Sequence, residues 1–163
     1  MDGLKQLHNA LKQLPGKVAD KQVGQSAAAG AAVVREAARR NLVRKLKTVD
    51  EGTTQTVRAI VSRRAEKSPT HVTYHVGVKS NKFYLNFIEV GADPHIIKPR
   101  RKGGKKVLAN KETGEFFGKT VKHPGVKMQP WLRPALDQNK EKAVARIRDR
   151  LRAGIDKEVA KLK

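Results

Sequence analysis

Leucines recur at three- and four-residue intervals from the start of the chain. Leu4, Leu7, Leu11 and Leu14 lie along one face of a predicted helix that Pro15-Gly16 ends. A second, longer helix is predicted from about residue 17 to 46. Ala27, Ala31, Val34, Ala38, Leu42 and Leu46 form its apolar line, and Arg35, Arg39, Arg40, Arg44, Lys45 and Lys47 crowd the remaining surface. Its alanine-rich start, QSAAAGAAVV, suits close approach of another helix, and Gly30 interrupts an otherwise strong helix former. From Thr53 β-branched residues take over. Residues 54–63 (TQTVRAIVSR) read as a strand, and Ser68-Pro69 marks a break. HVTYHVGVK then alternates, with Val72, Tyr74, Val76 and Val78 on one face and His71, Thr73, His75 and Lys79 on the other, the pattern of a half-buried strand. Phe83, Tyr84, Phe87, Ile88 and Val90 form an apolar cluster that reads as a short helix packed on the sheet.

Residues 98–122 join a basic, glycine-containing run to two short apolar pieces. They read as a long β-hairpin, with Val107 and Leu108 on one limb and Phe116 and Phe117 on the other. HPGVKMQPWLRPALD follows, a proline-rich connection in which Pro130 or Pro134 suits an early helical position, where a missing N–H is not needed. In the C-terminal helix Ala143, Ile147, Leu151, Ile155 and Val159 recur every four residues, joined by Leu136, Val144 and Leu162. The order of elements predicts a single α+β domain over 1–163. It has N-terminal helices, a small mostly antiparallel sheet with an extended basic hairpin arm at 98–122, and a long amphipathic C-terminal helix. Phe83, Phe87 and Trp131 are expected in its core.

Charge changes this picture more than composition does. The chain has 163 residues, 36 Lys and Arg against 15 Asp and Glu, and a formal net charge of +21. Repulsion of that size opposes compaction and oligomerisation unless a polyanion or counter-ions offset it. The middle, 70–97, is neutral, whereas 21–47 carries +6, 98–122 carries +7 and 123–163 carries +6. Nucleic acid is the obvious polyanion; an anionic membrane or an acidic protein is the alternative. There is no cysteine, which excludes disulfides, thiolate metal sites and cysteine nucleophiles. The first residues lack an apolar signal region, and no stretch approaches the ~20 apolar residues of a membrane span, so a soluble protein made in the cytoplasm is expected.

Catalytic chemistry finds little footing. His71 and His75 share a strand face, but zinc needs at least three protein ligands and no tight ligand cluster supplies the rest; solvent-facing histidines explain them. GGKK at 103–106 lacks the spacing of a phosphate loop and reads as a flexible basic turn. Ser26, Ser62, Ser68 and Ser80 lie in no nucleophile-elbow pattern, and the carboxylates form no pair on a cleft element. No enzyme and no cofactor is expected. No helix-turn-helix, zinc finger or RNA-recognition motif appears, so contact with nucleic acid should run through phosphates and be sequence-independent and salt-sensitive. Lys98, Arg100, Arg101, Lys102, Lys105 and Lys106 are the candidate contacts to DNA or to a neighbouring subunit.

Two segments carry a resemblance. FYLNFIEVGADPH at 83–95 and HPGVKMQPWLRPALD at 123–137 resemble the paired signature of a siphophage tail-component family: an aromatic Y-x-x-F-x-E-x-G stretch, a variable hairpin, then HPG…P-[FW]-L-x-P-A leading into a terminal helix. The matching positions are Tyr84, Phe87, Glu89 and Gly91, then His123, Pro124, Gly125, Pro130, Trp131, Leu132, Pro134 and Ala135. The family comprises neck and tail-completion proteins related to the minor tail protein Z of lambda-like phages. Members commonly carry a Pro-x-Thr-Gly-x-Leu turn after the long helix, where this chain has VDEGTTQTV at 49–57. The resemblance implies a structural virion protein of the neck. It would form a ring, of six copies or alternatively twelve, that joins the head-closure or connector protein to the tail terminator or tube protein. Genome DNA would pass non-specifically through the lumen. It further implies that Glu89 accepts hydrogen bonds that fix its helix against the HPG loop. A tail terminator or other connector ring, and a free DNA-compacting protein, are the competing readings.

Overall fold

A computed structural model describes residues 16–46, 51–67, 71–99, 107–110 and 113–161. The predicted first helix (Leu4, Leu7, Leu11, Leu14) and the basic residues Arg100, Arg101, Lys102, Lys105 and Lys106 lie outside them, as do Lys47, Ser68-Pro69 and Leu162. In order come α1 (Gly16–Lys45), α2 (Glu51–Arg58), β1 (Ile60–Lys67), β2 (Val72–Val78), a 3-10 turn (Ser80–Lys82), α3 (Leu85–Val90), β3 (His95–Ile97), β4 (Leu108–Ala109), β5 (Phe116–Gly118), β6 (Val121–His123), α4 (Arg133–Asp137) and α5 (Lys140–Ala160). The fold is α+β, with antiparallel two-stranded sheets β1–β2, β3–β6 and β4–β5. The chain divides into two compact units, one formed by 1–83 with 131–163 and the other by 84–130.

In the first unit α1 is the central element. Its 30 residues span about 45 Å, and it packs against α5 and against the β1–β2 ladder. Gln22 meets Gly154 and Glu158, Gln25 meets Arg150, and Gly30 meets Ile147 and Ala143, so α5 runs antiparallel to α1. Small residues let the two helices approach. A Cβ at Gly30 would lie 2.5 Å from Ile147 Cγ1 and 2.6 Å from its Cδ1, and one at Gly154 would fall on the Gln22 side-chain carbonyl. Gly30 therefore does not break the helix; it is a point of close approach to α5. Ser26 is buried among these residues and satisfies its hydroxyl by donating to the Gln22 backbone carbonyl at 2.7 Å. The core holds Val34, Ala37, Ala38, Leu42, Ala59, Ile60, Trp131, Ala135, Ala143 and Ile155.

Two arginines of α1 do structural work that the charge pattern did not foretell. Arg39 donates from Nη2 to the Ile60 carbonyl at 2.7 Å and from Nε to the same oxygen at 3.2 Å. Arg35, one turn earlier, donates to Ser62 Oγ at 3.1 Å, and both guanidinium groups pair with Glu36. They tie the first residues of β1 to the helix, while Arg40, Arg44 and Lys45 stay exposed.

The strand predicted at 54–63 is a helix to Arg58, and β1 begins at Ile60. Thr56 is buried, Thr53 and Val57 half-buried, and Ile60 fully buried. That three-and-four spacing selects the helix over the weak strand preference of threonine. β2 forms where a strand was expected, and His75 is its one exposed residue. Ser62 and Ile60 engage α1, so with Val76 and Val78 opposite them they face inward; Val61, Arg63, Gly77 and His75 take the outer face. On α5, Leu136 just before it and Val144 within it are 53% and 64% exposed, off the packed face expected of them, because the every-four line through Ala143, Ile147, Leu151 and Ile155 fills the contact with α1.

Pro134 sits in the first turn of α4. Trp131, just before it, is fully buried, and its carbonyl accepts from Asn41 Nδ2 at 3.1 Å. Asn139 starts α5: its carbonyl receives Ala143 N–H at 2.8 Å while its side-chain amide turns back to the Ala135 carbonyl at 2.9 Å. Among the described residues no helix is long and apolar enough to cross a membrane.

Candidate functional site

The second unit contains most of the residues that carry the family resemblance, and it joins the two motif segments directly. Ala92 and Val126 exchange backbone hydrogen bonds at 2.9 and 2.8 Å, and Gln129 N–H donates to the Ile88 carbonyl at 2.8 Å. Gly91 ends α3 at φ 77°, and Gly125 turns the chain at φ 84°, a region that disfavours any side chain. A Cβ at Gly125 would strike the Ala92 carbonyl, and one at Gly91 would lie 3.0 Å from the Val126 carbonyl. The E-x-G and HPG glycines are thus two halves of one backbone clasp. His123 belongs to it, because its Nδ1 accepts the Gly125 N–H at 3.1 Å. His95, opposite it in the ladder, stacks with ring centroids 4.9 Å apart and donates from Nδ1 to the Asp93 carbonyl at 2.8 Å. Glu89 is half-buried on α3, beside the Ile88 that receives Gln129. Pro124 is exposed and Pro130 half-buried.

The clasp is the root of the long hairpin. Pairing begins three residues before the predicted 98–122 arm, with His95↔His123 through Ile97↔Val121, and resumes at Leu108↔Gly118 and Ala109↔Phe116. Asn110 closes the tip, accepting Gly114 N–H at 2.9 Å and donating to the Glu115 carbonyl at 2.8 Å. The limbs are unequal: 98–107 separates β3 from β4, whereas only 119 and 120 separate β5 from β6. The longer gap holds the whole predicted basic run, of which Lys98 is described and exposed.

Phe83 and Phe87 are 61% and 46% exposed, which corrects their expected place in the core. α3 has only six residues and offers one inward position, which Leu85 takes. Leu85 is the single buried residue among those described in the second unit. Nine large apolar side chains of that unit stay open: Tyr84, Phe87, Val90, Ile96, Ile97, Val107, Phe116, Phe117 and Met128. Of the two other aromatic motif residues, then, Trp131 is core and Tyr84 is surface.

Among the described residues no group of three His, Asp or Glu side chains gathers to hold a metal ion. His71 is exposed and pairs with Glu66 at 3.3 Å, and His75 is exposed on the outer sheet face. Close approach of another helix was expected from the alanine-rich start of α1, but its placement at Gly30 and Gly154 was not. The cross-strand pairing of Arg63 with His75 needs the register, which no motif announces. Compared with known proteins, the chain matches no family model, no curated protein and no solved structure.

Proposed function

We propose that the chain is a structural subunit of a siphophage neck, assembling into a ring that links the head-closure or connector protein to the tail terminator or tube protein and surrounds genome DNA without reading its sequence. The observation that carries this reading is the apolar surface of the 84–130 unit, where nine large side chains are exposed and Leu85 alone is buried among the described residues. Patches of that kind mark association surfaces. The clasp supports it further: the motif residues serve backbone geometry and hold the root of a projecting hairpin, as a structural signature requires.

Magnitudes favour an assembly that is conditional. Burying the open half of nine such side chains is worth on the order of 10 kcal/mol per subunit, against ~4–15 kcal/mol for lost rigid-body freedom. With +21 on each copy, repulsion decides the outcome. Screening at a Debye length of ~8 Å in 0.15 M salt removes much of it. Ring formation should therefore strengthen between low and moderate salt, while duplex binding weakens over the same range. Mass photometry and negative-stain microscopy across that range test the proposal. Six-fold or twelve-fold closed rings are expected; a monomer that coats DNA at every salt concentration would point to a compacting protein and overturn it. Glu89→Ala should lower the yield of rings, and an unchanged yield would remove the role given to that carboxylate.

A further inference from the structure

The outer face of the β1–β2 ladder holds an open trough of about 430 Å³. Its lining is Arg63, His75, Lys79, Ser80 and Asn81, with Val61, Gly77 and the strand end at Val78 completing it. Every polar side chain there can donate a hydrogen bond, and no carboxylate takes part. Arg63 stands directly across the ladder from His75, and Lys79 follows the end of β2. Arg63 and Lys79 bring two cations to one trough, where they repel each other. An anion seated between them offsets that cost with charge-assisted bonds. Gly77 leaves open space where a side chain would rise, so a ligand oxygen can come down onto the strand.

We propose that this trough is a docking site for the phosphodiester backbone of nucleic acid, with the Arg63 guanidinium and the Lys79 ammonium making the phosphate contacts and His75, Ser80 and Asn81 supplying further donors. The open form suits a polymer passing across it better than an enclosed small molecule. It lies in the unit of 1–83 with 131–163, and is thus separate in sequence from the basic run at 98–106. The inference rests on the neck reading only for the origin of the polyanion.

The test uses the full chain, a labelled DNA duplex of arbitrary sequence, and fluorescence anisotropy over a salt series. Two phosphate contacts contribute about 1.8 to the slope of log K against log salt, or roughly thirtyfold in affinity at 0.15 M. The double variant Arg63→Ala/Lys79→Ala should lose that much. Lys142→Ala/Arg152→Ala, which removes two exposed cations from α5, should lose clearly less. Both pairs are exposed, so melting curves should match that of the unaltered chain. A slope unchanged in the first variant, or lowered equally in the second, overturns the proposal. Vesicles containing phosphatidylglycerol form a separate arm: binding to them that depends on Arg63 and Lys79 as strongly as duplex binding does would overturn the assignment to nucleic acid. Failure of the unaltered chain to form rings, with the slope loss intact, would sink the neck reading and leave the trough standing.

Discussion

Replacing Gly30 with alanine sets two effects of known size against each other. In a helix interior alanine is favoured over glycine by ~1 kcal/mol, so by propensity alone the variant gains stability. The added methyl would lie 2.5 Å from Ile147 Cγ1, 2.6 Å from Cδ1 and 3.1 Å from the Ala143 backbone oxygen. Overpacking of that kind costs ~1–3 kcal/mol, so the net change runs from about zero to about 2 kcal/mol of destabilisation. Ile147 is half-buried, so Ile147→Ala alone should cost about half of the ~2–5 kcal/mol seen for fully buried sites. Combined, the two changes should cost less than their sum, with a coupling of ~1–2 kcal/mol, because shortening Ile147 makes room for the new methyl. Urea unfolding followed by far-UV circular dichroism, at one fixed protein concentration, measures all four corners of this cycle. A Gly30→Ala protein more stable than its parent by the full propensity term, with no coupling to Ile147, would refute the close approach of α5 at this position.

Three further outcomes are expected. Trp131→Ala should cost ~3–5 kcal/mol, since the indole is fully buried; a loss under 1 kcal/mol in the same urea assay would contradict that burial. Arg39→Met removes both donors to the Ile60 carbonyl and should cost about 1–2 kcal/mol, the lower part of the range for charged hydrogen bonds because the side chain is partly exposed. Faster amide exchange should follow in β1, and unchanged protection there would count against the tie. Gly125→Ala should open the clasp, because its Cβ enters the Ala92 carbonyl at a positive φ. The Ala92, Val126 and Gln129 amides should lose exchange protection while those of α1 keep theirs; equal loss in both would show that the effect is global.

Much of the helical frame was legible because it is periodic. The every-four line through Ala143, Ile147, Leu151 and Ile155, and the long apolar line of α1, each mark one buried face. The alternation of β2 was equally plain. Legibility failed wherever a short segment drew its state from its surroundings. The threonines of α2 prefer strands in isolation, yet burial of Thr56 goes with a helix of eight residues, about two turns. α3 is too short for its apolar cluster to be absorbed, so Phe83 and Phe87 look like core in sequence and are surface in space. At the candidate site the two motifs were visible, but their union was not. Backbone pairing between Ala92 and Val126 joins residues 34 positions apart, and no local pattern encodes it.

The separation of charge from fold bears on how such a protein could work. The contacts that close the clasp are Ala92 with Val126, Ile88 with Gln129, and the His123 ring with Gly125, made by backbone groups and one ring nitrogen. Within the first unit Arg35, Arg39 and Arg150 make contacts that join elements, with Glu36 or Gln25 beside each of them, and Lys161 pairs locally with Glu158. Among the described residues, cations such as Arg40, Arg44, Lys98 and Arg152 are exposed, and this charge is open to counter-ions. Screening or neutralising it leaves core packing and hydrogen bonds intact, while the repulsion between copies falls. A polyanion threaded among several copies would act on that repulsion alone. Its arrival would favour association without requiring any change of conformation in the subunit, and its affinity would be set by how many phosphates the cations reach rather than by which bases they meet.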